Sequence, residues 1–212
     1  MTPAIVAALG VSAAASLAYG LWLTHQAPGV LRSAVKTAPV ALLAGVSAMA
    51  GGPVLLTLAL AFGALGDLAL SRPGRAAFLA GLASFGAAHL ALVALLWPAG
   101  DWRVTGAPLA PVLLAVGMAV VVLPHAGRLR GPVALYMVLI AAMGWAALQP
   151  GTGRIVQCAA VLFMISDSLL SIGLFRLEEE HRAQRPLAPA VWFTYWSAQV
   201  LFLLAFVPPG SR

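Results

Sequence analysis

The chain is expected to be all-α, a polytopic membrane helical bundle of about eight transmembrane helices. Three features of the sequence lead there. Of its 212 residues, 62% are hydrophobic and only 8% charged, against about 25% charged in a soluble domain, and the mean hydropathy is +0.97. The apolar residues gather into runs close to the roughly 20 residues that a helix needs to cross a bilayer. Those runs are rich in Ala and Leu and show no period-two alternation. Backbone groups in lipid must bond to one another, so helices rather than a closed barrel satisfy them here.

The elements follow in order. The first span, 3–23, begins almost at Met1 with no basic segment before it. It is longer than a signal-peptide core and is read as a retained helix. Ala27-Pro28-Gly29 ends it, and the second span, 35–50, opens beside Lys36. Gly51-Gly52-Pro53 makes the tightest connection, to a third span at 53–71. Arg72-Pro73-Gly74-Arg75 separates that from the fourth, 76–97, and the fifth covers 108–124. Gly131-Pro132 opens the sixth, 132–149, and Gln149-Pro150-Gly151 closes it. The seventh and eighth cover 155–175 and 189–207, so that 1–212 forms one transmembrane domain. Proline and glycine mark these boundaries because neither continues a helix well.

Lysine and arginine orient the bundle. Arg32, Lys36, Arg72, Arg75, Arg128, Arg130, Arg176, Arg182 and Arg185 follow odd-numbered spans, while Arg103, Arg154 and Arg212 follow even ones. The positive-inside rule then places the basic loops in the cytoplasm and both termini outside, N-out and C-out, in a multi-pass protein of the plasma membrane. The segments GDLALS (66–71) and SDSLLS (166–171) set two aspartates 100 residues apart, and Phe85/His89 recur as Tyr195/Gln199 at an offset of 110. This spacing suggests two parallel four-helix halves, a 4+4 repeat.

Several functions are disfavoured. The net charge of +6 sits in short loops rather than in a basic stripe interleaved with aromatics, so it reads as topology and no nucleic-acid partner is expected. The single cysteine, Cys158, allows neither an internal disulfide framework nor a cysteine zinc site and is read as a buried packing residue. There is no G-x-S-x-G elbow, H-E-x-x-H pair or phosphate-binding loop. His89 is the one histidine well inside a span, with His25, His125 and His181 in or beside loops. No metal or cofactor is therefore expected. Glu178, Glu179 and Glu180 read as a solvated charge run.

Asp67 and Asp167 point to function more strongly, the plain reading of Asp67 being an interfacial residue near Arg72 and Arg75. An aspartate at a helix centre costs about 2.5–3.5 kcal/mol to insert, so it faces the bundle interior and is functional by default. Asp67 lies roughly 6 Å, and Asp167 roughly 12 Å, from the cytoplasmic ends of their helices at 1.5 Å per residue. Both can then reach comparable depth in the cytoplasmic half of one cavity. Two carboxyls sharing a poorly solvated site cannot both ionise freely, so one keeps a proton as a general acid while the other polarises water. Glycosidases divide two carboxyls in this way through an oxocarbenium-like transition state. A vinyl ether is the membrane analogue: protonation of its carbon gives an oxocarbenium ion, water adds, and the hemiacetal collapses to aldehyde and alcohol. Tyr136, Tyr195, Gln199, Ser166 and Ser168 are polar handles near this pair. Lys36 can snorkel or anchor a lipid phosphate. The same residues also suit a small proton-coupled transporter or a structural subunit, although no span carries a mid-depth Gly/Pro break.

The segments GDLALS, FLAGLASFGAAHL, YMVLIAAMGWAAL, FMISDSLLSIGLF and YWSAQVLFLLA resemble the YhhN-like lysoplasmalogenase family of integral membrane hydrolases, over about Lys36 to Ala205. The resemblance implies a lysophospholipid substrate whose alkenyl ether bond is hydrolysed to a fatty aldehyde plus glycerophosphocholine or glycerophosphoethanolamine. It implies that Asp67 and Asp167 are catalytic, with Lys36, His89, Tyr136, Tyr195 and Gln199 lining the cavity beside Ser166 and Ser168. A member of so broad a family can also cleave a different lysolipid.

Overall fold

The computed structural model describes residues 2–99, 102–104, 106–178 and 180–207. Glu179 and Arg212, assigned above to the charge run and the outer end, lie outside these. The described residues form an all-α bundle: α1 (Pro3–Ala18), α2 (Val30–Met49), α3 (Val54–Leu70), α4 (Arg75–Leu96), α5 (Ala110–Val122), α6 (Arg130–Ala147), α7 (Arg154–Phe175) and α8 (Gln184–Phe206). A wider π-helical turn, Tyr19–Leu23, extends α1.

Seven of these helices, counting the short turns that extend them, are long and apolar enough to cross a membrane. α3 has 17 residues, about 25 Å of rise against a hydrocarbon core of about 30 Å. The eight expected spans thus become seven candidates and one shorter apolar helix, cut by Pro53 at one end and Ser71-Arg72-Pro73 at the other. Two starts also move. α2 begins at Val30, taking Arg32 and Lys36 into its first two turns. α8 begins at Gln184, where Pro186 stands in the first turn and has no intrahelical donor to lose.

Neighbours in sequence pack as neighbours in space: α1 on α2, α2 on α3, α3 on α4, and α5 on α6, α6 on α7, α7 on α8. α4 joins the two sets through α6, and α8 returns to α2 and α3. α5 is the most exposed of the candidate spans. Lipid tails are as apolar as leucine, so polar contacts and close packing hold such helices together. Trp192 Nε1 donates to the Ser16 carbonyl at 2.9 Å, and Ser12 Oγ donates to the Pro39 carbonyl at 2.9 Å. These bonds fasten α1 to α8 and to α2. Cys158, read as a packing residue, is exposed on the outside of α7.

The basic loops gather at one end. Ser71 Oγ donates to Ser33 Oγ at 2.8 Å, Phe78 and Phe175 meet edge-on at 6.4 Å, and Arg176 bonds His125. These three contacts tie the loops after α1, α3, α5 and α7 together. At the opposite end Trp97, Trp102 and Trp145 stack in sequence, with centroids 3.8 and 5.0 Å apart. The buried Gln149 amide there accepts from the Arg103 N–H at 2.8 Å and donates to its carbonyl at 3.1 Å. Aromatics of this kind belong at a membrane–water interface.

Close approach of α3 and α4 depends on Gly66. A Cβ at that position meets Phe85 ring carbons at 2.6–3.0 Å, and the ring is held edge-on by Phe163 and Tyr195. Gly66→Ala is therefore expected to destabilise the protein by about 1–3 kcal/mol through overpacking. Thermal unfolding in detergent measures this, and an unchanged midpoint would contradict it.

Candidate active site

Asp167 stands on α7 beside α4 and α6. The Tyr136 hydroxyl donates to its Oδ2 and lies 3.2 Å from His89 Nε2. His89 Nε2 is in turn 3.7 Å from the same carboxylate oxygen. The His89 ring is fully buried, edge-on to Phe163 at 4.8 Å, and its Nδ1 has no hydrogen-bond partner. A buried N–H left unpaired costs more than an unused lone pair on a ring nitrogen. The geometry thus assigns the proton to Nε2. His89 then donates to the Tyr136 oxygen and Tyr136 to Asp167, a directed chain that ends on the carboxylate.

Asp167 also faces a cleft. Its side chain is 14% exposed, and it lines with Tyr136, Ser168 and Ser171 the polar side of a groove between α5, α6 and α7. The rest of the wall is apolar, including Leu114, Met118, Ile140 and Met164. The groove is a narrow one, about 30 Å³, and is open to the outside. A mostly apolar pocket with a few converging polar groups is the usual form of a small-molecule site. Here the shape suits a chain with a polar end.

Asp67 occupies a second nest, between α2, α3 and α8. Tyr195 donates to its Oδ2 at 2.9 Å, and Lys36 Nζ lies 3.9 Å from its Oδ1. Asp67 is only 2% exposed. Gly63 makes room for this arrangement: a Cβ there would meet Gln199 Nε2 at 2.9 Å and Tyr195 Oη at 3.0 Å. Phe163 packs between the two nests, 4.8 Å from the His89 ring and 5.5 Å from the Tyr195 ring, with Phe85 against it at 6.5 Å, and Tyr195 stays within electrostatic reach of Asp167.

The structure therefore sorts the expected site residues into groups. Asp167, Tyr136, His89 and Ser168 come together at the cleft. Asp67, Lys36, Tyr195 and Gln199 come together behind the aromatic wall. Only Asp167 of the two aspartates lines the cleft. Lys36, read as a snorkelling lysine or a lipid-phosphate anchor, turns its ammonium to Asp67. Ser166 leaves the site altogether, donating to the Val191 carbonyl of α8 at 2.9 Å. The α5 wall and Phe163 were missed by sequence reasoning. Both are ordinary apolar residues, and nothing in a uniformly apolar run marks which face lines a cleft. Among the described residues no three His, Cys, Asp or Glu side chains are grouped as metal ligands.

The family model that matches this chain is that of the YhhN family, over residues 31–206. A Mycobacterium bovis protein named lysoplasmalogenase is 33% identical over 217 residues, covering 91% of this chain and 80% of its own length. Human lysoplasmalogenase TMEM86B is 33% identical over 199 residues, covering 87% of this chain and 79% of its own. The rat protein of that name is 32% identical over 212 residues, with 94% and 83% covered. No solved structure matches.

Proposed function

The chain belongs to the YhhN family, and we propose that it is an integral membrane hydrolase that cleaves the vinyl-ether bond of lysoplasmalogens. The observation that carries this reading is the Asp167–Tyr136–His89 chain set into the wall of an apolar cleft. A lysolipid needs both parts: a groove for its chain and a proton donor beside its ether.

The two aspartates take different roles in this reading. Asp67 has Lys36 beside it and is the paired partner. Asp167, the aspartate that lines the cleft, is the proton donor of this reading. It gives that proton to the alkenyl carbon one removed from the ether oxygen, leaving an oxocarbenium ion. Water adds to the carbon bearing the oxygen and returns a proton to the Asp167 carboxylate, the acid-to-base exchange that glycosidases use. The hemiacetal C–O bond to glycerol then breaks. The hemiacetal hydroxyl proton passes to the departing glycerol oxygen, giving aldehyde and glycerophospho-alcohol. Tyr136 and Ser168 hold the carboxyl and the glycerol hydroxyl. Asp67 acts behind the wall, holding Tyr195 and, through it, Phe163.

In this reading all eight helices cross the membrane, α3 and α7 are matching helices of two four-helix halves, and the basic end is cytoplasmic. The cleft then opens toward the cytoplasmic leaflet. Support comes from the shared pairing order of α1–α4 and α5–α8 and the gathering of the basic loops.

Purified protein offered alkenyl, alkyl and acyl lysophospholipids is expected to release fatty aldehyde from the alkenyl lipid alone. Fatty acid from the acyl lipid instead would replace the vinyl-ether substrate with an ester. Tyr136→Phe is expected to lower kcat by about 10- to 100-fold, since the carboxyl loses its orienting donor, with KM little changed. A raised KM with kcat unchanged would point to a binding role instead.

A further inference from the structure

The loop end of the cleft carries a second arrangement, which bears on how the substrate is held. Arg176 ends α7 and His125 follows α5. His125 Nδ1 lies 3.2 Å from the Val121 carbonyl, and Arg176 Nη1 sits at the edge of the same imidazole, nearest Nε2 and 3.1 Å from Nδ1. With the proton on Nδ1, His125 donates to its own helix and accepts from Arg176. The guanidinium is thereby fixed by one bond while its other donors stay open. Both residues are exposed, and among the described residues no carboxylate lies within ion-pair distance of Arg176. An oriented guanidinium fork with unclaimed donors matches phosphate geometry.

Position makes this more than a surface arginine. Ser171 lines the cleft five residues before Arg176, and Asp167 lies nine residues before it. At 1.5 Å per residue these are rises of about 7.5 and 13.5 Å. Nine residues at about 100° each turn Arg176 away from Asp167, and it is the contact with His125, seven residues beyond the cleft-lining Met118 on α5, that holds the guanidinium at the loop end of the cleft. Val122, Val133 and Met137 pack together inside the bundle at this level and close its inner side. A lysolipid in the bilayer has this order, phosphate at the surface and chain toward the centre. We infer that Arg176 and His125 form the site that binds the phosphate of a lysophospholipid entering between α5 and α7. This rests on the lysolipid reading above.

The test is equilibrium binding in detergent with three probes. An uncleavable 1-O-alkyl lysophosphatidylethanolamine has chain and phosphate, 1-O-alkylglycerol lacks the phosphate, and inorganic phosphate lacks the chain. Wild-type protein is expected to bind the phospholipid at least about tenfold more tightly than the alkylglycerol, the effect of one or two charge-assisted bonds. Arg176→Gln and His125→Gln should each weaken the phospholipid alone, and Arg176→Lys should recover part of the loss. Arg154→Gln, at the other end of α7, should change neither lipid. Undiminished discrimination in the Arg176→Gln/His125→Gln double variant would overturn the site. Inorganic phosphate binding as tightly as the phospholipid would make it a free-phosphate site and overturn the lipid assignment. Discrimination that tracks Arg176 in a protein releasing no aldehyde would sink the hydrolase reading and leave the phosphate site standing.

Discussion

Asp167→Asn is expected to lower kcat for aldehyde release by about 10³-fold, within the range that a positioned general acid contributes. The substitution keeps size and hydrogen-bonding shape. The Tyr136 hydroxyl can donate to the amide oxygen as it does to the carboxylate, and the side chain borders the cleft with no Lys or Arg within ion-pair distance among the described residues. The folded state should therefore persist, with a thermal midpoint close to wild type. What disappears is the transferable proton. Binding of an uncleavable alkyl lysolipid should stay within a few-fold of wild type, because the lost interaction belongs to the transition state. Turnover near the wild-type rate in a folded Asp167→Asn protein would remove Asp167 from the chemistry. The expectation for Asp67→Asn is different in kind: that aspartate stands behind Phe163 and Phe85, so its loss should act on stability first and on rate through the displaced Tyr195.

That contrast between the aspartates was not legible in the sequence, although the aspartates themselves were. A carboxyl within an apolar run is conspicuous because lipid penalises it. Its partners are not, because they come from elsewhere: Tyr136 is 31 residues from Asp167, and Tyr195 is 128 from Asp67. Sequence proximity also misled at Ser166. Successive helical residues point about 100° apart, so Ser166 and Ser168 cannot both share the direction of Asp167. One bonds α8 and the other lines the cleft. The helices were readable because a bilayer sets a length, yet their ends drifted where polar residues continue a helix beyond the apolar run, as at Arg32 and Gln184. α5 was readable as a helix and unreadable as a cleft wall. Apolar on every side, it offers no periodicity to tell the face toward lipid from the face toward Asp167.

The second large effect is expected at Lys36 and Asp67. Their charges are 3.9 Å apart, with side chains 14% and 3% exposed, and Tyr195 holds the other carboxylate oxygen. Removing one member of such a pair leaves the other charge buried and unmatched, which costs about 3–5 kcal/mol, whereas replacing both with uncharged groups is often nearly neutral. Lys36→Met alone should therefore destabilise the protein by about that amount, and Asp67→Asn alone by a similar amount. The double variant should recover most of the loss, because no uncompensated charge remains and the amide carbonyl that replaces the Asp67 carboxylate still accepts from Tyr195. Thermal or denaturant unfolding of the four proteins in one detergent gives the coupling directly. Additive losses in the double variant would show that the two side chains do not act as a pair. Recovered stability with recovered turnover would further show that Asp67 serves the reaction by holding Tyr195 and the aromatic wall in place. Recovered stability with turnover still lost would instead assign its carboxylate a direct part in handling water.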